Sequence, residues 1–336
     1  MSTKRFLVIL GVFTVVAVLL AACGTPGEPG PKGDTGPAGP AGPAGPAVEV
    51  SELGCTECHD DTTLITGKQT AWAMSVHGSG TAYDYAGGRN TCTGCHSGGR
   101  FSDRIAAGIT NPDTVEEGDP NPTRQDCRAC HQIHTSYTKD DFALETTDPV
   151  PLYAFEDVTF DGGDGNLCAA CHQPRRQMDA AVDGIVKVTS THWGPHHGPQ
   201  SSMLMGIGGG GAVEGSPSKH YEKVEDTCVA CHMGEGASHS FEPSTAACVE
   251  CHDDVENFDI NGVQTHVKEL LEELETILKA KGMLDAEGHP VVGDYSEADA
   301  AALWNFIYVA EEDKSMGVHN PAYTIALLEA SLEAVK

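Results

Sequence analysis

Twelve of the 13 cysteines in the 336-residue chain fall in six copies of one pattern. These are Cys55-Thr-Glu-Cys58-His59, Cys92-Thr-Gly-Cys95-His96, Cys127-Arg-Ala-Cys130-His131, Cys168-Ala-Ala-Cys171-His172, Cys228-Val-Ala-Cys231-His232 and Cys248-Val-Glu-Cys251-His252. Two thiols separated by two residues reach the two vinyl groups on one porphyrin edge. The next residue, histidine, then lies beneath the iron as its proximal ligand. Cys-x-x-Cys-His is the signature of covalent haem c attachment. Structural zinc sites also use Cys-x-x-Cys pairs but do not require histidine after each pair. Thioredoxin-like dithiols usually occur once, and disulfides predict no fixed histidine. Six repeats therefore predict six covalently bound haem c groups.

Six low-spin haems need six further axial ligands. Of the 16 histidines, ten lie outside the motifs: His77, His134, His192, His196, His197, His220, His239, His266, His289 and His319. Bis-histidine ligation of every iron is therefore affordable. His77, His134, His266 and His319 lead the candidates. His134 follows its nearest motif by three residues and is expected to serve a neighbouring haem. One of the adjacent His196 and His197 is expected to ligate. His220 and His239 bracket the fifth motif, and His289 is the weakest candidate. Met203, Met205 and Met233 are alternative ligands or plain apolar filling. Two histidines per iron leave no open site and favour low potentials, so such haems pass electrons.

The elements that must hold these groups follow from the spacing. Motifs begin 37, 35, 41, 60 and 20 residues apart. The intervening Gly, Asp, Asn and Thr residues read as loops between short helices. With so many porphyrins, the cofactors form much of the core. The expected fold is mostly α with extensive loop, wrapped around stacked haems, with few strands. Residues 48–262 form the haem-binding part and 263–336 a helical cap. In the cap, Leu270, Leu271, Leu274 and Leu278 make a helical stripe between His266 and Lys281;. A second helix is expected from about Ser296 to Glu312, and a third from about Pro321 to Ala334. The hairpin or bundle closes one end of the stack and delivers His266 and His319.

Residues 1–22 read as a signal peptide, with Lys4 and Arg5 ahead of an apolar run too short for a confident membrane span;. Leu20-Ala21-Ala22-Cys23 resembles a bacterial lipobox, making Cys23 the acylated N-terminus of segment 23–26. Gly24 stands where an aspartate commonly retains lipoproteins at the inner membrane, so an outer-membrane address is favoured. Residues 27–47 are seven Gly-x-y triplets. They form either a short collagen-like trimer or a monomeric polyproline spacer of about 65 Å, and the tract's shortness favours the spacer.

Formal charge is −29, and loss of Lys4 and Arg5 with the leader makes it −31. This opposes nucleic-acid binding and favours redox proteins with complementary patches or cationic and metallic acceptors. Asp161-Gly-Gly-Asp164-Gly-Asn166 is weakly like a Ca2+ loop, although a plain acidic turn is favoured;.

Together, the lipobox, the Gly-Pro-Ala tract and the six motifs resemble the outer-surface multihaem cytochromes of metal-reducing bacteria, especially the hexahaem group related to filament-forming extracellular cytochromes. Thr191-His-Trp-Gly-Pro-His-His-Gly-Pro-Gln200, with the Gly206–Gly211 loop after it, is also family-like. Asp313-Lys-Ser-Met-Gly-Val-His-Asn-Pro321 is similar to a distal-histidine segment of the wider nitrite reductase and hydroxylamine oxidoreductase superfamily. The resemblance implies electron transfer at the outer membrane or cell surface, toward metal oxides or partner cytochromes, with self-association through the stalk or haem domain. It also supplies an alternative, a nitrite, hydroxylamine or tetrathionate reductase with one open haem. The chain has no Cys-x-x-Cys-Lys motif, but the 60-residue interval with its glycine loop is the place for a substrate pocket.

Overall fold

The computed structural model describes residues 63–196, 198–234 and 238–336. The leader, Cys23, the Gly-x-y tract, the first motif (Cys55, Cys58, His59) and His197 lie outside the described residues. The helices in chain order are α1 (Thr63–Met74), α2 (Val76–Ser79), α3 (Ala82–Ala86), α4 (Asn90–His96), α5 (Gly98–Ala106), α6 (Cys127–Cys130) and α7 (Gly165–Ala169). They continue as α8 (Gln200–Met205), α9 (Lys219–Lys223), α10 (Cys228–His232), α11 (Val263–Ala280), α12 (Glu297–Phe306) and α13 (Pro321–Val335). The two described sheets are antiparallel pairs: β1 (Val150–Pro151) with β2 (Thr159–Phe160), and β3 (Ile185–Val188) with β4 (Gly293–Ser296). The fold is mostly helical, with a long share of loop, as the sequence predicts.

The cap helices form where the apolar spacing places them. In α11, Val267, Leu271, Leu274 and Leu278 are buried at steps of three and four, and Leu270 packs at the margin;. Residues Ala300–Phe306 of α12 are all buried, so this helix is the centre of the cap rather than one of its faces. Ser296 caps α12 by accepting the Asp299 N–H at 3.2 Å;. Asn320 caps α13, and Pro321 takes its first position;.

Two features depart from a simple hairpin. The second helix does not stay α-helical to Glu312. Residues Ile307–Asp313 widen to a π-helix, closed by the Lys314 N–H on the Val309 carbonyl, with Lys314 left-handed at φ 59°. π segments inside helices recur at functional sites; this one ends on the buried Asp313. The cap also shares its core with the longest inter-motif interval. Val186 and Val188 on β3, Trp193 and Met203 pack against the helices, and Trp193 meets Trp304 edge-on at 5.0 Å. Pairing of β3 with β4, in the register Val186↔Tyr295, ties the two stretches together.

A second, smaller core contains Phe101, Val150, Leu152, Phe160, Leu167 and Leu204 together with Ala129, Ala169 and Ala170. The three alanines occupy the variable positions of the third and fourth motifs. Apolar packing here runs between motif turns, which fixes one motif relative to another.

Candidate functional site

Each fully described motif is one helical turn. The N–H of His131 bonds the carbonyl of Cys127 at 2.9 Å, that of His172 bonds Cys168 at 2.8 Å, and that of His252 bonds Cys248 at 2.9 Å. The second and fifth motifs lie within α4 and α10. Residues three and four apart share a helical face, so both thiols and the histidine project together. None of the ten described cysteines forms a disulfide. Among the described residues, no three His, Cys, Asp or Glu side chains converge as a zinc or calcium site would require;.

The histidines are paired. His96 faces His196 with ring centroids 6.3 Å apart, and His131 faces His239 at 6.1 Å. His172 faces His77 at 6.1 Å, His232 faces His319 at 6.3 Å, and His252 faces His220 at 6.2 Å. Every described motif histidine thus meets one histidine from outside the motifs. The separation has a chemical meaning. Two imidazoles bound to opposite faces of one metal, with bonds of about 2 Å, and about 1.1 Å more from each nitrogen to its ring centre, place their centroids roughly 6 Å apart. Direct packing of aromatic rings does not demand one constant distance over angles from 29° to 75°. A shared iron between each pair would.

The other ring nitrogens agree. His131 donates from Nδ1 to the Phe142 carbonyl at 2.7 Å, His232 to the Phe241 carbonyl at 2.9 Å, and His220 to the Val318 carbonyl at 2.7 Å. His172 donates to Gln200 Oε1 at 3.1 Å, and His319 to Asp313 Oδ1 at 2.6 Å. A carbonyl or amide oxygen can only accept, so Nδ1 holds the proton and Nε2 keeps a lone pair for a metal. Burial, and then the neighbouring His172, push the pKa of His77 down to about 4, which keeps its ring neutral as ligation requires.

The positions adjoin one another. The Cys95 sulfur lies beside that of Cys171, and the Cys168 sulfur beside that of Cys228. The fourth motif therefore touches the second through one cysteine and the fifth through the other. Phe241 lies against His77 and His239 while its carbonyl holds His232, so the third, fourth and fifth positions meet at one residue. Val318, which holds His220, is next to His319, linking the sixth position to the fifth. Arg104 is 3% exposed and donates to the carbonyls of Gly94, Ile109, Thr110 and Ala170. Two of these lie inside the second and fourth motifs, so a buried cation staples those motifs together. A slot lined by Cys92, Cys95, His96, Tyr153, Arg175 and His196 marks the second position.

Other expected groups lie elsewhere. His266 is exposed on α11, and His192 and His289 are exposed in turns; none of them faces a described motif histidine in the ring contacts. His134, left-handed at φ 64°, stacks on Tyr137 at 5.4 Å. Met203 is fully buried in the cap core with Thr324 Oγ1 on its sulfur, and Met205 packs against the second core. Met233 caps the end of α10. The Asp161–Asn166 loop satisfies itself: Asn166 donates to Asp161, Gly162 donates to Asn166, and Asp164 donates to Asp226. The glycine loop packs against the cap helices. Gly209 donates to Tyr323 Oη, Gly210 donates to Asn305 Oδ1, and Trp304 donates to the Gly208 carbonyl. A Cβ at Gly209 would collide with Leu327. Gln200, Phe241, Arg104 and Asp313 support the paired rings without a sequence signature for that role, although Gln200 and Asp313 lie in the two family-like stretches.

Residues 46–132 match the family model for cytochrome c7 and related cytochrome c. No curated protein sequence matches the chain. The fold is similar to that in the crystal structure of outer cell wall cytochrome OcwA, with a TM-score of 0.52 and 23% identity over 80% of this chain. The match covers 50% of the OcwA chain, so this protein spans about half the length of that structure.

Proposed function

We propose that the chain is a multihaem electron-transfer protein of the cell exterior. The carrying observation is the set of five histidine pairs at 6.1–6.3 Å, each beside a Cys-x-x-Cys turn. His96 and His196, His131 and His239, His172 and His77, His232 and His319, and His252 and His220 ligate one haem c each. The sixth haem is held by Cys55, Cys58 and His59. When bound, each haem supplies a one-electron iron couple; the polypeptide closes both axial faces, excludes water and sets distances. The adjoining Cys95 and Cys171, and Cys168 and Cys228, bring successive haem edges together for electron passage. The lipobox at Cys23, the Gly-x-y spacer and the likeness to an outer cell wall cytochrome support anchoring at the outer membrane, with the haem domain held outward. Electrons then go to partner cytochromes or to extracellular metal oxides, whose positive surfaces suit a strongly acidic chain;.

The test is EPR of the oxidised holoprotein, with haem counted independently, alone and with nitrite or hydroxylamine. Six low-spin haems that ignore both ligands are expected. A stoichiometric high-spin haem that responds to either would overturn the carrier reading in favour of a reductase. Replacing Cys23 with serine should release the protein from the membrane fraction.

A further inference from the structure

Five of the ten paired rings donate from Nδ1 to an acceptor of one of three kinds, and these acceptors are not equivalent. Three go to backbone carbonyls and one to the neutral amide of Gln200. The fifth, from His319, goes to a carboxylate. Asp313 has no exposed side-chain surface, and its Oδ1 lies 2.6 Å from His319 Nδ1. Its Oδ2 accepts from the Ser315 hydroxyl at 2.5 Å and from the Ser315 N–H at 3.2 Å. Ser315 Oγ in turn accepts the His319 N–H at 3.2 Å. Among the described residues, no lysine or arginine forms an ion pair with Asp313; its salt-bridge partner is His319. The arrangement depends on the π-helix, which ends at Asp313 and turns the chain at the left-handed Lys314.

A carboxylate on the outer nitrogen of a ligating histidine makes the ring a stronger electron donor. In a dry site its charge is poorly screened. Both effects stabilise ferric over ferrous iron and lower the potential. The adjoining position, across the Cys168–Cys228 contact, has the opposite setting. His172 there has a neutral acceptor, and the Arg104 guanidinium donates to the Ala170 carbonyl beside Cys171.

We propose that Asp313 is a potential-setting residue, which places the haem between His232 and His319 below the haem between His77 and His172 in potential and creates a downhill step from the first to the second. This rests on the multihaem reading above. The step moves one electron from ferrous iron at the first position to ferric iron at the second. A one-electron redox protein supplies it, and the external acceptor removes it.

The experiment is a spectroelectrochemical and EPR redox titration of the full-length holoprotein and of Asp313→Asn, Asp313→Glu and Ser315→Ala variants. In Asp313→Asn, one haem should rise in potential by the equivalent of a tenfold or larger change in its reduced-to-oxidised ratio, about 59 mV for a one-electron couple. One low-spin signal should shift with it while the other haems hold. Asp313→Glu should restore most of the effect. Ser315→Ala removes a donor from the carboxylate and should move the same haem in the opposite direction, an outcome still readable if Asp313→Asn assembles poorly. Unchanged potentials in Asp313→Asn, an equal shift of all haems, or an upward shift in Ser315→Ala would overturn the proposal. Failure to find low-spin haems in the unaltered protein would instead sink the multihaem reading itself.

Discussion

The ring of Phe241 meets that of His77 edge-on, with centroids 4.8 Å apart and planes at 75°. It does so from a left-handed backbone, φ 58°, that an aromatic residue seldom adopts;. The same residue is 6.0 Å from His239 and holds His232 through its carbonyl. Strain at one residue is therefore offset by fixing ligands at three haem positions. Phe241→Ala keeps the carbonyl but removes the ring, at a cost of about 1 kcal/mol of aromatic contact. His77 should then dissociate transiently. The expected outcome is a fractional high-spin signal and slow cyanide binding at one haem, measured by EPR and optical titration, with haem content unchanged.

The pairs predict which histidines matter. His196→Ala, His239→Ala, His77→Ala, His319→Ala and His220→Ala should each convert one haem to a five-coordinate or water-ligated form that binds carbon monoxide when reduced. His266→Ala and His289→Ala should leave the five paired haems low-spin, since neither ring meets a described motif histidine. Optical spectra of the reduced proteins under carbon monoxide check the whole series at once.

Much of this site was legible as a repeating cofactor motif, because Cys-x-x-Cys-His is a local requirement of thioether chemistry. The cap helices were legible because Leu271, Leu274 and Leu278 follow the helical period. Ligand pairing was not. His77 precedes His172 by 95 residues and His319 follows His232 by 87, and no local spacing encodes which rings meet. His266 stands exposed at the start of α11 and meets none of the described motif histidines, while the first motif lies outside the described residues. The glycine loop reads as open because glycine is permissive; in the fold the Gly209 and Gly210 amides are used, and the missing side chains make room for Tyr323, Leu327 and Ala301. The π-helix had no sequence signature, so the meeting of Asp313 with His319 was invisible beforehand.

Arg104 illustrates a buried charge used as a staple. Among the described residues no carboxylate pairs with it, and its guanidinium is satisfied by four carbonyls and by the ring of Phe101 at 5.1 Å. Arg104→Met removes the desolvated charge but leaves buried carbonyls unpaired, each worth about 1–3 kcal/mol. A net loss of roughly 3 kcal/mol is expected in thermal or denaturant unfolding of the holoprotein. Loss of the cation should also lower the potentials of the haems at His96 and His172. Arg104→Lys, unable to reach all four carbonyls, should retain the potentials better than the stability. Comparing the two variants separates charge from stapling.

Asn320 secures the segment that carries His319. Its side chain accepts the Tyr323 N–H at 3.2 Å as the cap of α13, and it donates to the carbonyls of Met203 at 3.1 Å and Ser216 at 2.9 Å. The residue is 2% exposed, so water cannot replace these partners in Asn320→Ala. Loss of the cap costs about 1 kcal/mol, and the orphaned carbonyls add a similar amount or more. At roughly 2–4 °C per kcal/mol for a chain of this size, the melting temperature should fall by about 5–10 °C. Because α13 begins two residues after His319, the fifth haem should also become the first to bind exogenous ligand as temperature rises. Asn320→Asp keeps the cap but reverses the donors, and should be less stable than asparagine while still fixing the helix start. Following cyanide binding and unfolding together along one temperature ramp checks both consequences. Equal ligand access at all haems during unfolding would show that Asn320 supports the fold generally and not the His319 segment.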